Sequence, residues 1–151
     1  MEQAGYNLMN PSNTREVVGG LAQAIVDGEL APGYRTVSIL RADATPGRST
    51  PLTAGEIAQS TGGSPVAGFH THQLAERNHK PEKRHRSGPA PEDLRTVRKL
   101  LRPELVITRT KVSLAWVDDS GDVRTATVME YRDVNSLKSG DVTIRVPAAI
   151  F

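Results

Sequence analysis

Two prolines bracket the stretch of this chain whose pattern leaves least freedom. Pro91 stands where a first helical residue belongs, Glu92 and Asp93 follow in the first turn, and Leu94, Val97, Leu100 and Leu101 recur at helical spacing before Pro103 closes the segment. Proline lacks a backbone N–H and fixes φ, so it is tolerated at the start of a helix and stops one at its end. The apolar runs around this helix are shorter and closed by turn signals. Val17 to Val26 is apolar, interrupted by Gly19-Gly20 and followed by Asp27-Gly28, which reads as a buried strand; Leu21, Ala24 and Ile25 also have helical spacing, so a helix stays open there. Gly19-Gly20 reads as close backbone packing and not as a phosphate loop.

Tyr34 to Ala42 alternates around Val37 and Ile39 and suits a second strand, joined to the first by a hairpin. Residues 43–64 are rich in Gly, Pro, Ser and Thr, with Thr53 to Gln59 expected as a short helix. Val66 to His72 reads as a buried strand with a polar tip. Leu105 to Ile107, Lys111 to Val117 and Val123 to Tyr131 read as further strands, the last two joined by the Asp118-to-Asp122 turn, and Val142 to Val146 as an edge strand. Trp116, alternating with Leu114 and Val112, reads as core more than as a substrate platform.

At 151 residues the chain fits one domain spanning 1–151. It contains no cysteine, which excludes disulfides, thiolate metal sites and a cysteine nucleophile; a metal site must use His, Asp and Glu. No basic stretch leads into an apolar run at the N-terminus, and no run of apolar residues is long enough to cross a bilayer, so neither a signal peptide nor a membrane partner is expected. The net charge of +2 does not by itself argue for nucleic acid. The basic residues cluster between Arg77 and Arg102; residues 73–88 read either as a clamp for an acidic partner or, with more weight, as a solvated surface run.

On a strand, side chains two apart share a face, so His70-Thr71-His72 presents two imidazoles together. A catalytic tetrahedral zinc needs a third protein ligand and an open position. Asp93, in the first turn of a helix that follows the strand, is the carboxylate best placed to supply it. Each residue also has a plain reading: the histidines as surface or core residues, Asp93 as complement to the helix dipole, Glu16 as a charge at a strand start. His79 and His85 compete as ligands, but loop residues must be ordered at an entropic cost.

Together, Arg15-Glu16-Val17-Val18-Gly19-Gly20, Val66-Ala67-Gly68-Phe69-His70-Thr71-His72 and Pro89-Ala90-Pro91-Glu92-Asp93-Leu94 resemble the JAB/MPN (JAMM) metalloprotease superfamily, whose pattern is a distant Glu, His-x-His, then Ser-x-x-Asp. The Asn-Pro-Ser segment and Phe-His-Thr-His look closest to a bacterial branch at the C-termini of Rhs-type polymorphic toxins. The resemblance covers roughly residues 11–131. It implies an α/β (α+β) fold with a curved, largely antiparallel central sheet and flanking helices, a cytidine-deaminase-like architecture. It also implies one zinc ion held by His70, His72, Asp93 and a water, with Glu16 as general base, and a protein or peptide substrate. A toxin or effector domain of this kind is cytoplasmic or delivered by a secretion system within a larger protein, and has an immunity protein as partner.

Two departures stand out. The family serine falls on Ala90, so either activity is weak, or Ser87 takes over its oxyanion role, or the chain is a binding module. Residues 73–88 lengthen the gap between the ligands and read as an insertion. A metal-dependent nuclease, suggested by the four histidines and the basic cluster, ranks last because it gives Glu16 no role.

Overall fold

The computed structural model describes residues 16–42, 50–72, 88–108 and 111–130. Ser87, His79, His85, the segment before Glu16, the strand expected over Val142 to Val146 and all of the basic stretch except Gly88 lie outside the described residues. Within them the order is β1 (Val18–Val26), β2 (Glu29–Ile39), α1 (Ala54–Thr61), β3 (Ser64–Thr71), α2 (Pro91–Leu100), β4 (Glu104–Ile107), β5 (Lys111–Val117) and β6 (Val123–Glu130). The fold is α+β. Its strands form one six-stranded mixed sheet in the order β2-β1-β3-β4-β5-β6. β3 and β4 are parallel, and the other pairings are antiparallel. A parallel pair needs a crossover connection, and α2 lies in it.

The segment with two open readings, Val17 to Val26, is a strand. Asp27 and Gly28 both adopt positive φ, 52° and 80°, the backbone of a two-residue hairpin turn, and pairing resumes at once with Val26 opposite Glu29. β2 therefore starts at Glu29, ahead of the expected Tyr34, and stops at Ile39, short of Ala42. Pro32, Gly33 and a run of exposed side chains hide this strand in the sequence; at a sheet edge, pairing needs only backbone groups on one side, and a proline is tolerated there.

α1 starts with a reciprocal cap: the Glu56 N–H donates to Thr53 Oγ1 at 3.1 Å and the Thr53 N–H to Glu56 Oε1 at 3.1 Å, an arrangement worth about 1 kcal/mol. It ends past Gln59 at Thr61, with Gly62 left-handed at φ 66°. Its fully buried Ile57 occupies the space that a side chain at Gly20 would fill, and joins Val18, Ala22 and Leu52 in a core cluster. On the other face, a side chain at Gly19 would meet Phe69. The glycine pair thus lets β1 be packed closely from both sides. Cross-strand partners share a face, so Val18, His70 and Val106 stand in one row and Gly68 and Glu104 in the next. All four residues of β4 are buried, as in a central strand covered on both faces. Trp116 is half-buried beside the fully buried Leu114 and Val112 of its own strand.

Candidate metal centre

His70 lies on β3 and His72 immediately after its last residue, so strand geometry turns both rings to the face on which Asp93 stands. α2 follows β3 and leads into the parallel strand β4, which sets the first turn of the helix beside the C-terminal end of β3. The three side chains meet there. His70 Nε2 lies 3.3 Å from His72 Nε2 and 3.1 Å from Asp93 Oδ1, and His72 Nε2 lies 3.2 Å from Asp93 Oδ2. Metal–ligand bonds of roughly 2.0–2.1 Å place neighbouring corners of a tetrahedron about 3.3 Å apart; the two ring nitrogens stand at that separation, each faces its own oxygen of the Asp93 carboxylate, and one ligand atom from each of the three residues lies within 4.8 Å of the others. Among the described residues, His70, His72 and Asp93 form a group able to hold a metal ion.

Asp93 has a second task. The Ala90 N–H donates to its Oδ2 at 2.7 Å, the returning half of a helix cap. The forward half is absent because Ala90, at the N-cap position, has no side-chain oxygen. Ala90 is buried at the helix start, where the resemblance places a serine. Ser87, the alternative oxyanion donor, lies outside the described residues.

Glu16 is brought to the site by the pairing of β1 with β3. Val18 stands opposite His70, and one step on, the Thr71 N–H donates to Val17 O at 3.0 Å and the Val17 N–H to Thr71 Oγ1 at 2.9 Å. Continuing the register sets Glu16 opposite His72. Burial pushes its carboxyl above the ordinary 4.5; His70 and His72 oppose that shift, while Asp93 and Glu104 reinforce it. All four predicted residues that are described, Glu16, His70, His72 and Asp93, therefore belong to one electrostatic cluster.

Burial works against a charged His70, but its hydrogen bonds to Asp93 and Glu104 and their negative charges outweigh it and hold its pKa well above the ordinary 6.5. Asp93 is pushed up by burial and, more strongly, down by His70, His72 and the Ala90 N–H, ending well below the usual carboxylate range. These shifts favour a proton shared between His70 and its carboxylate partners, which a divalent cation would displace.

No family model, curated protein or solved structure matches the chain. The functional reading thus stands on motif order and on geometry. That geometry includes a residue the sequence did not single out: Glu104, 3% exposed, whose Oε1 lies 2.9 Å from His70 Nδ1. Its one signal is a glutamate opening the otherwise apolar strand Glu104-Leu105-Val106-Ile107, and nothing local links it to a histidine so far back in the chain.

Proposed function

We propose that this chain is a zinc-dependent peptidase or isopeptidase of JAB/MPN-like architecture, acting on a protein or peptide. The observation that carries the reading is the convergence of His70, His72 and Asp93, with nitrogen and oxygen atoms 3.1 to 3.3 Å apart, and Glu16 just ahead of the adjoining strand. Two imidazoles and a carboxylate suit zinc, with a fourth position for water or substrate. Bound there, zinc would lower the pKa of water and polarise a scissile carbonyl. Glu16 serves as general base, taking a proton from the attacking water and returning it to the nitrogen of the leaving amine. Its raised pKa brings the carboxyl closer to neutrality, where a base that must also release its proton works best. The toxin or effector role, with an immunity protein as partner, belongs to the same proposal.

Ala90 favours a second reading, a binding module that retains the metal. A buried methyl group stands where the family has a hydroxyl, and losing one oxyanion donor commonly costs on the order of a hundred- to a thousandfold in rate. Metal analysis of the purified protein, together with Glu16→Gln, tests the main proposal. It expects one zinc per chain in both proteins, and chelator-sensitive cleavage of peptide or isopeptide substrates in the wild type alone. Stoichiometric zinc in a His70→Ala/His72→Ala variant would sink it, and chelator-sensitive cleavage of plasmid or RNA would point to the nuclease.

A further inference from the structure

The metal-facing histidine is held from behind. A carboxylate can only accept, so the 2.9 Å contact between His70 and Glu104 requires the His70 Nδ1–H to donate to Glu104 Oε1. With Nδ1 carrying that proton, Nε2 is the ring nitrogen left to face His72 and Asp93. Glu104 stands opposite Gly68 in the β3–β4 register, two pairs behind His70 and so on the same face, and its other oxygen, Oε2, lies with the guanidinium of Arg102 in the space a side chain at Gly68 would occupy. Nε and Nη2 of Arg102 are buried and have no hydrogen-bond partner among the described residues. The guanidinium and the Glu104 carboxylate thus share the space over Gly68 without a hydrogen bond or ion pair joining them.

We propose that Glu104 is a positioning residue for metal binding: it fixes the ring orientation and tautomer of His70 so that Nε2 faces the metal, with its carboxylate lying over the side-chain-free backbone of Gly68. The inference rests on His70 being a metal ligand. Carboxylates behind ligating histidines typically contribute 10- to 100-fold in metal affinity. The arrangement also gives Gly68 a reason to be glycine, since any larger residue would expel the carboxylate or the guanidinium.

The test is zinc affinity by competition with a chromophoric chelator, paired with nitrogen and proton NMR of the His70 ring in the zinc-loaded protein. Wild type should show a slowly exchanging Nδ1–H. Glu104→Met should bind zinc about 10- to 100-fold more weakly and lose that proton signal, whereas Glu104→Gln, which keeps an accepting oxygen, should retain the signal and most of the affinity. Because Glu104→Met strands a buried guanidinium and can fail to fold, Glu104→Met/Arg102→Met, with neither charge buried, is measured beside it and should show the same loss. Wild-type affinity and an unchanged Nδ1–H in either Met variant, with zinc lost in His70→Ala, would overturn the role of Glu104 alone. Stoichiometric zinc in His70→Ala would instead overturn the metal site on which the role depends.

Discussion

Val17 and Thr71 clasp each other across β1 and β3: the Thr71 N–H donates to the Val17 carbonyl at 3.0 Å, and the Val17 N–H donates to the Thr71 hydroxyl oxygen at 2.9 Å. Both residues are fully buried. The clasp sits between Glu16, just ahead of β1, and His70 and His72 at the end of β3, so it joins the proposed base to the proposed ligands.

Thr71→Val keeps the shape of the side chain and removes the acceptor. The Val17 N–H is then buried without a partner, which costs about 1–3 kcal/mol. Urea denaturation should show that loss. Because the lost bond holds the Glu16 end of β1 while the rings stay on their own strand, hydrolysis should fall several-fold more than zinc affinity; equal losses in both would refute this division.

Stability of the metal-free protein should depend on pH with a definite sign. His70 has a raised pKa in the folded state, so its contribution is complete below 6.5 and is lost as pH climbs through the folded value. Glu16 acts in the same direction, with its contribution complete below 4.5 and lost as pH climbs through its raised value. Asp93 is lowered, so its contribution is complete above 3.8 and is lost as pH falls through its depressed value. Chelator-treated protein should therefore melt at a higher temperature near about pH 5 than near about pH 8.5. Zinc takes the place of the His70 proton, so the stabilisation added by zinc should grow over the same interval. Thermal scans with and without chelator check both halves.

Ala90→Ser would complete the cap of α2 from the N-cap position. A serine there typically adds 0.5–2 kcal/mol, roughly 1 kcal/mol in most hosts. The same hydroxyl would restore the donor that the resemblance places beside the scissile carbonyl. The expected outcome is a higher melting temperature together with a rate increase of about tenfold or more. A stabilised variant with no cleavage of any substrate in a broad peptide and isopeptide panel would favour the binding module.

Gly20→Ala probes the packing that carries β1. The added methyl group would enter the space of Ile57, and overfilling a close-packed core costs typically about 1–3 kcal/mol. Chemical denaturation should register that cost, and Gly20→Ala/Ile57→Val should recover part of it by freeing volume at the same contact.

The sequence alone determined what depends on local periodicity. Two-residue alternation put His70 and His72 on one face, Pro91 and the acidic turn placed Asp93 at a helix start, and Asp27-Gly28 marked a tight turn because its backbone needs positive φ. Tertiary structure decided which elements lie side by side, because pairing energy comes from backbone groups that every residue carries and pattern does not rank the partners. Only the β1–β3 pairing brings Glu16 to the histidines, only the parallel β3–β4 pairing seats Glu104 behind His70, and edge position let the largely exposed, proline-containing stretch from Glu29 to Arg35 become a strand.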